Sequence, residues 1–326
     1  MKAIVVHEYG GPDVMRLEDV PTPDPAGSQV LVRIKAAGVN PVDTYLRSGN
    51  HAHAPKLPYT PGKDAAGVIE SVGDAVSRFQ PGDRVYTADS LTGTYAEFSL
   101  CDESQLGPLP DNTDFNAGAG IWTPYATSYR ALFEKARLAA GETVLIHGAS
   151  GGVGVAAIQW AKHAGAKIIG TAGSDAGKSI VSEQGADLVV DHLSAGGEAA
   201  ALAREQIAGF TDGKGINVIV EMLANVNLLL DFDVLAMFGR IAVVGNRGTL
   251  EFNPRAAMTK DASILGLSLF NAPQSVREAI RGDIYKGLSD GYLRPVISRT
   301  FELGDAPAAH REVIESHAQG KIVLIP

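Results

Sequence analysis

The sequence predicts an α/β protein in which a doubly wound, parallel six-stranded sheet is joined to a compact β-barrel. Short apolar runs alternate with helical segments between residues 143 and 270, and such runs need a parallel sheet covered on both faces. The first third of the chain instead holds short β-type runs separated by Gly- and Pro-containing turns, which is typical of a small barrel. A chain of 326 residues is long enough for both domains.

The barrel is predicted from both ends of the chain. The N-terminal segment MKAIVVHEYG is interpreted as a first strand, because its apolar run is too short for a signal peptide. Further strands are predicted at 30–36, 67–73 and 83–86 and, after a helix at 273–290, at 296–301 and 321–325. We expect the C-terminal strands to complete the first domain. The predicted division is 1–122 with 292–326 for the barrel domain and 123–291 for the sheet domain.

The parallel sheet is predicted to contain strands at 143–147, 167–171, 187–190, 216–221, 240–244 and 263–270, with helices at 154–164 and 174–184. The last run, SILGLSLF, is apolar on both faces. At a sheet edge such a strand invites aggregation unless it is paired or covered. Pairing with a two-fold mate would remove the edge, so this run predicts a homo-oligomer. The alternative is a helix or loop of the same chain that covers the strand.

Composition and charge exclude several function classes. The net charge of -9 and the pI near 5.4 argue against a dedicated nucleic-acid or anionic-membrane surface. No apolar stretch approaches the roughly 20 residues that a membrane-spanning helix needs. The single cysteine, Cys101, excludes an internal disulfide and a cysteine-based metal cluster. We therefore expect a cytoplasmic protein without a membrane or nucleic-acid partner.

A glycine-rich turn follows the first strand of the predicted sheet. The segment IHGASGGVG (146–154) lies where a strand ends and a helix begins, which is the context that makes such a motif informative. Glycines allow a tight turn and a close approach to a pyrophosphate, and the helix N-terminus offers free N–H groups. Because the strand–helix alternation continues after it, the segment predicts a dinucleotide-binding Rossmann domain.

The choice of nucleotide is predicted from the end of the second strand. An NAD site usually carries an acidic residue there, which holds the ribose 2′-hydroxyl. The segment Gly170–Ser174 contains no carboxylate, and Ser174 and Lys178 lie within reach of a 2′-phosphate. NADPH is therefore the predicted cofactor, although Asp175 is near the same edge. The alternative for Lys178 is an ordinary solvent-exposed helix charge.

The residues of the barrel domain predict a site without a metal. Zinc-dependent alcohol dehydrogenases need thiolate and imidazole ligands at fixed places. Here Asn40 stands where a first cysteine ligand is expected, and Lys63 and Asp64 follow Gly62 where a Gly-His-Glu segment is expected. A lysine ammonium has no lone pair for a metal. Without a Lewis acid the reduction of a conjugated acceptor is easier than the oxidation of a simple alcohol.

Several segments match a known family. They are AGVNPVDTYLRSG (37–49), LPYTPG (57–62), HGASGGVG (147–154), KIIGTAG (167–173), VEMLANVNL (220–228) and VGNRGT (244–249). Together they resemble the quinone oxidoreductases, the zinc-free branch of the medium-chain dehydrogenase/reductase superfamily, and among these the zeta-crystallins.

This resemblance implies a GroES-like catalytic domain, a Rossmann domain, NADPH as cofactor and a homodimer or homotetramer. It also implies a set of cofactor contacts. By motif these are Tyr45, Ser150, Gly151, Gly152, Val153, Gly173, His192, Asn227, Val244, Gly245, Asn246, Arg247, Leu267, Ser268 and Leu269.

Three polar side chains are the predicted catalytic residues. Asn40 can donate an amide N–H to a quinone oxygen, and the Tyr45 hydroxyl can bond the nicotinamide ribose or the substrate. Asp43 lies between them in sequence. The alternative for Asn40 is simple turn chemistry before Pro41, and the alternative for Asp43 is a helix N-terminal cap.

The predicted function is hydride transfer from NADPH to a quinone or another small conjugated carbonyl compound, without a metal or a covalent intermediate. The resemblance also allows one-electron reduction to a semiquinone. A first alternative is an NADPH-dependent 2-alkenal or enoyl reductase. A second is a structural or RNA-binding, crystallin-like protein with a vestigial NADPH site, although the acidic charge argues against RNA.

Overall fold

A computed structural model describes residues 1–315 and 319–326. The strands in these residues are, in chain order, β1 (Lys2–Val6), β2 (Met15–Asp19), β3 (Gln29–Val39), β4 (Asp64–Val72), β5 (Arg84–Thr87), β6 (Phe98–Asp102), β7 (Leu106–Pro108), β8 (Thr143–Ile146), β9 (Lys167–Thr171), β10 (Leu188–Val190), β11 (Ile216–Glu221), β12 (Leu235–Val243), β13 (Ser263–Gly266), β14 (Ile297–Glu302) and β15 (Lys321–Ile325). The α-helices are α1 (Pro41–Ser48), α2 (Phe115–Ala119), α3 (Trp122–Tyr129), α4 (Gly152–His163), α5 (Asp175–Gln184), α6 (Gly197–Phe210), α7 (Ala224–Val234), α8 (Arg255–Met258), α9 (Gln274–Ser289) and α10 (Ala306–Glu315).

The predicted parallel sheet is confirmed. Its strands follow the order β10-β9-β8-β11-β12-β13, and every neighbouring pair is parallel. Counted along the chain this is the order 3-2-1-4-5-6 of a Rossmann domain, whose ligand cleft lies at the carboxyl ends of the strands where the order reverses. That reversal falls between β8 and β11. The central strands are apolar on both faces because helices cover both: Val144, Leu145 and Ile146 of β8 are fully buried.

The last strand of this sheet differs from the prediction. The run 263–270 was expected to be one strand, but β13 ends at Gly266 and residues 269–271 form a short 3-10 turn. Three of its four residues, Ser263, Ile264 and Gly266, are exposed, and Leu265 is half-buried. β13 is therefore a short edge strand rather than a buried one. A short apolar run alone does not distinguish a buried strand from an exposed edge strand.

The other sheet combines the two ends of the chain. Its order is β14-β15-β3-β4-β5-β7, with β6 also paired to β3, while β1 and β2 form a separate antiparallel pair. β15 pairs antiparallel with β3, which places Val323 opposite Gly38. This is the predicted β domain, with its GroES-like strands. We propose the domain division 1–122 with 292–326 and 123–291, which the pairing of β15 with β3 supports.

In residues 1–315 and 319–326, none of the helices has both the length and the apolar character needed to cross a bilayer.

Candidate active site

A cavity of about 810 Å³ lies between the two domains. Its lining joins the glycine-rich turn and the carboxyl ends of the Rossmann strands to α1 and β15. Most of the residues predicted from motifs line it: Asn40, Tyr45, Gly151, Gly152, Val153, Val244, Gly245, Asn246, Arg247, Leu267, Ser268 and Leu269. Seven predicted residues do not: Asp43, Ser150, Gly173, Ser174, Lys178, His192 and Asn227.

The glycine-rich turn has the geometry that a pyrophosphate needs. Gly148 has φ +54, which favours glycine, and α4 begins at Gly152 with its N-terminal N–H groups at the cavity. A Cβ on Gly154 would lie 2.5 Å from the Ala149 Cα, so the helix packs against the turn only with glycine there. These residues fit a dinucleotide: the backbone is open on the cavity side and closely packed on the other.

Four of the predicted residues that do not line the cavity lie together beside the ends of β9 and β10. A Cβ on Gly173 would lie 3.1 Å from the His192 ring, and His192 Nδ1 lies 3.0 Å from the Thr171 hydroxyl. A Cβ on Gly177 would lie 3.1 Å from Ser174 Oγ and 3.2 Å from Ser150 Oγ. Ser150, Gly173, Ser174 and His192 therefore form one small group, next to the turn and on the side where the adenosine half of a dinucleotide is expected.

Ser174 of this group, and Lys178 four residues later in the chain, have partners that the sequence did not predict. The Ser174 hydroxyl caps α5 by accepting the Gly177 N–H at 3.1 Å. Lys178 Nζ lies 2.8 Å from Asp191 Oδ1, and both side chains are 36% exposed. A carboxylate therefore stands beside Lys178 at the end of β10, although none stands at the end of β9. Neither simple alternative, an unopposed phosphate ligand or a solvated charge, describes this lysine.

The loop after β12 closes the opposite end of the cavity. The Asn225 N–H donates to Asn246 Oδ1 at 3.0 Å, and the Arg247 N–H donates to Asn225 Oδ1 at 3.0 Å. Arg247 Nε donates to the Tyr45 hydroxyl at 3.2 Å, which joins the Rossmann domain to α1 across the cavity. Asn227 instead is buried below this loop, where its amide donates to Glu221 Oε1 at 3.2 Å.

The barrel side of the cavity contains a hydrogen-bonded group, here called the Lys321 cluster. It is formed by buried Asn40, Asp64 and Lys321 and by half-buried Thr123. Lys321 Nζ donates to Asn40 Oδ1 and lies 3.3 Å from Asp64 Oδ2. Asp64 also accepts the Asn40 amide at 3.0 Å, the Thr123 N–H at 3.1 Å and the Thr123 hydroxyl at 2.6 Å. Asn40, Thr123 and Lys321 line the cavity.

Asp43 has the contacts of a helix cap. Its Oδ2 accepts the Asn40 N–H at 2.8 Å and the Tyr95 hydroxyl at 3.2 Å, at the first turn of α1. The side chain is buried and does not line the cavity. Burial raises the pKa of Asp43 to about 6, against a smaller opposing effect of the Asn40 N–H. Asn40 is thus the N-cap residue of α1 and Asp43 is the third residue of its capping box, so these contacts support a structural role of Asp43 in the cap rather than a contact with substrate.

A second buried group, the His147 cluster, lies behind the turn and consists of His147, Glu221 and Asp231. His147 Nε2 is 2.8 Å from Asp231 Oδ1 and 3.5 Å from Glu221 Oε2. Burial raises the pKa of Glu221 to about 7. Burial lowers the pKa of His147, but the Asp231 and Glu221 carboxylates outweigh this and keep that pKa above its ordinary value.

Comparison with known proteins decides the family. Residues 26–111 match the alcohol dehydrogenase GroES-like domain, and residues 152–282 match the zinc-binding dehydrogenase family. The chain is 46% identical to the rat and human proteins named quinone oxidoreductase, over 100% of this chain and 98% of each relative. The chain belongs to the quinone oxidoreductase family of the medium-chain dehydrogenase/reductase superfamily.

Solved structures of this superfamily have the same fold. Mycobacterial Rv1454c in complex with NADPH gives a TM-score of 0.90 at 28% identity, with both chains fully covered. Escherichia coli quinone oxidoreductase in complex with NADPH gives 0.88 at 29% identity, also with both chains fully covered. A Pseudomonas aeruginosa quinone oxidoreductase is 33% identical over 100% of this chain and 99% of its own.

One matched family is described as zinc-binding, yet the barrel side of this quinone oxidoreductase-family site does not fit zinc. Asn40 and Asp64 point at the ammonium of Lys321, which is no ligand and repels a cation. Lys63, at the position expected for a histidine ligand, is 2.5 Å from Asp89. A positive side chain thus lies where a metal would have to bind.

Sequence reasoning missed two members of the Lys321 cluster. Asp64 was considered only as a poor zinc ligand, and Lys321 only as the start of a late strand. One signal was available, which is that the strand at 321–325 was predicted to complete the barrel domain. A strand that pairs antiparallel with the early strand at 30–36 places its first residue, the polar Lys321, near the end of that early strand. No sequence spacing reveals this contact, because Asn40 and Lys321 are 281 residues apart.

Proposed function

We propose that this protein reduces quinones with NADPH, without a metal, in the cavity between its domains. The observation that carries the proposal is that the glycine-rich turn lines the same cavity as Asn40, Tyr45 and Lys321. Full-length identity of 46% to proteins named quinone oxidoreductase supports the acceptor class, and NADPH complexes of two structural neighbours support the cofactor.

The turn and the strand ends would hold the cofactor. Gly152 and Val153, at the start of α4, would present backbone N–H groups to a pyrophosphate beside Gly151. Ser150, Gly173, Ser174, Lys178 and His192 would lie on the adenosine side. The segments Val244–Arg247 and 267–269 line the other half. When bound there, NADPH supplies the hydride.

The barrel side would orient the acceptor. Asn40 is held at both ends of its amide by Lys321 and Asp64, so its remaining amide hydrogen has a fixed direction. The Tyr45 hydroxyl is fixed by Arg247. Trp122, Leu267 and Phe270 give the cavity an apolar wall that suits a flat conjugated ring and displaces water. Asp43 positions Asn40 through the backbone of α1.

A turnover screen tests this proposal. NADPH oxidation is followed with para-quinones, ortho-quinones and 2-alkenals, before and after treatment with a chelator. We expect quinone-dependent oxidation that chelation leaves unchanged. Turnover of 2-alkenals alone would instead establish the alkenal reductase. A protein that oxidises NADPH with none of these acceptors but binds RNA in a salt-dependent manner would establish the RNA-binding alternative.

Cofactor preference has its own measurement. We expect NADPH to bind at least about tenfold more tightly than NADH, or 1.4 kcal/mol, in titrations of the fluorescence of Trp122 and Trp160. Lys178→Ala should weaken NADPH and leave NADH unchanged, because the lysine can leave Asp191 for a 2′-phosphate. Equal losses for both nucleotides would show that Lys178 does not bind the phosphate.

We also propose that two copies pair through β13. The strand bonds to β12 on one side, and no other strand in residues 1–315 and 319–326 pairs with its outer side. Apolar side chains near this edge are exposed: Phe238 by 70%, Met258 by 68% and Ile264 by 39%. A two-fold mate would cover them and continue the sheet. Leu265→Pro should give monomers or insoluble protein, and a 34.1 kDa monomer at micromolar concentration before mutation would contradict the pairing.

A further inference from the structure

Lys321 is a buried cation that opens onto the cavity. Its side chain is 5% exposed, yet the residue lines the cavity together with Asn40 and Thr123. An ammonium has three N–H donors, and in the described residues, 1–315 and 319–326, the hydrogen-bond acceptors of Lys321 Nζ are Asn40 Oδ1 and Asp64 Oδ2. The third N–H is available to an acceptor that enters the cavity.

The chain is built around this side chain. A Cβ on Gly38 would lie 2.9 Å from Lys321 Cε and 2.1 Å from the Ala119 carbonyl oxygen, so glycine leaves the space that the lysine fills. Pairing of β15 with β3 fixes the backbone beside it, and the Gly320 N–H donates to the Ser150 carbonyl oxygen at 2.6 Å. Lys321 is therefore held at the junction of the barrel and the dinucleotide turn.

The charge of Lys321 is only partly offset. Asp64 is its carboxylate neighbour, but that carboxylate also accepts the Asn40 amide and both donors of Thr123. Its negative charge is thus spread over four donors. A positive charge fixed in a site shielded from water stabilises a developing anion far more than the same charge in solvent.

We propose that the Lys321 ammonium binds the acceptor oxygen and protonates it after reduction. The inference rests on the proposed quinone reduction. Hydride transfer would bring two electrons and one hydrogen to the quinone, which would become a quinol monoanion as NADPH is oxidised to NADP⁺. One Nζ–H bond then breaks and an O–H bond forms, and the neutral Lys321 amine regains its proton from water. Burial also lowers the pKa of Lys321, which makes it a better proton donor than a solvated lysine.

A bound phenol tests the charge without any turnover. 4-Nitrophenol resembles one half of a quinol, and its anion absorbs at a wavelength where the neutral form does not. We expect the unmodified protein to favour the bound anion over the neutral phenol by at least about tenfold relative to water, which is one unit of its apparent pKa. Lys321→Met should abolish this preference, and Lys321→Arg should keep part of it.

Lys63→Met is the matched comparison, because Lys63 lines the same cavity but is neutralised by Asp89. It should retain the anion preference. If the unmodified protein shows no preference, or if Lys63→Met abolishes it equally, the proposal is wrong. The result in the unmodified protein counts even if Lys321→Met does not fold.

Turnover separates this inference from the proposed function. Lys321→Met should lower kcat with a quinone about 100-fold while the NADPH Kd changes less than about threefold. A weaker NADPH Kd with unchanged kcat would make Lys321 a cofactor ligand and overturn the proposal. Anion preference without quinone turnover in the unmodified protein would instead contradict the quinone function and leave the oxyanion site established.

Discussion

The Lys321 cluster and the His147 cluster are both buried groups of charged side chains, but their hydrogen bonding differs. In the Lys321 cluster each carboxylate oxygen of Asp64 accepts at least one hydrogen bond, and the group opens onto the cavity. The His147 cluster does not line the cavity, and among residues 1–315 and 319–326 three of its atoms have no hydrogen-bond partner: His147 Nδ1, Glu221 Oε2 and Asp231 Oδ2.

We infer from this difference that the Lys321 cluster binds a ligand and that the His147 cluster serves the stability of the fold. A cation and a carboxylate that share satisfied neighbours keep their charges at little cost, and a spare donor toward a cavity serves an incoming oxygen. Two carboxylates buried around one imidazole cannot both remain ionised at little cost, and burial raises the pKa of Glu221 accordingly. We therefore expect the His147 cluster to govern stability and its pH dependence, and the Lys321 cluster to govern turnover.

The largest expected effect is that of His147→Ala on stability. It leaves Glu221 and Asp231 buried beside each other without the imidazole between them. We expect the free energy of unfolding to fall by about 3–5 kcal/mol, as when one partner of a buried ion pair is removed. Urea denaturation followed by tryptophan fluorescence measures it. A loss below about 1 kcal/mol would show that the imidazole does not hold the carboxylates.

The positions of these clusters explain how far sequence reasoning reaches. The strands at 167–171, 216–221 and 321–325 were predicted with their observed bounds, because a short apolar run between turns is rarely anything but a buried strand. The run at 263–270 was predicted too long, because its second half faces the cavity and apolar residues there are not part of a sheet. Helix α6, in a stretch of mixed charge and alanine, was not predicted.

For the site, local motifs were informative and long-range contacts were not. The residues from 244 to 247 and from 150 to 153 were predicted because each belongs to one continuous loop. His147 belongs to the segment of the predicted turn, but its partners Glu221 and Asp231 are 74 and 84 positions away. Glu221 reaches His147 because β8 and β11 are neighbours in the sheet, and Asp231 lies on α7, the helix that follows β11. Such contacts depend on strand order, which the residues of a single strand do not specify.

A smaller effect on stability is expected for Thr123→Val in the Lys321 cluster. The change removes the hydroxyl that donates to Asp64 Oδ1 at 2.6 Å and keeps the backbone N–H and the side-chain shape. Because three donors to Asp64 remain, we expect a loss of about 1.5–3 kcal/mol, the range for one hydrogen bond to a charged group. Urea denaturation of Thr123→Val and His147→Ala under the same conditions compares the two losses in the free energy of unfolding. A loss as large as that of His147→Ala would contradict the difference drawn between the clusters.

The smallest expected effect is a change of slope with pH in Glu221→Gln. Burial raises the pKa of Glu221 to about 7, so between about pH 4.5 and 7 the folded protein holds a proton that the unfolded chain has released. This contribution to stability is fully present below pH 4.5 and is lost as the pH rises toward 7. Glutamine cannot titrate, so the variant should lose less stability over this window. The difference in slope is at most about 1.4 kcal/mol per pH unit, the limit for one proton.

Urea denaturation at half-unit pH steps from 4.5 to 8 measures both proteins. Groups whose pKa values shift elsewhere, such as Asp43 and His310, are present in both and cancel in the difference. Glu70→Gln is the matched control, because it removes a glutamate whose side chain is 41% exposed and bonded to Arg33 on the barrel surface. It should leave the slope unchanged. If Glu221→Gln also leaves the slope unchanged, the retained proton does not reside on Glu221 and the prediction is wrong.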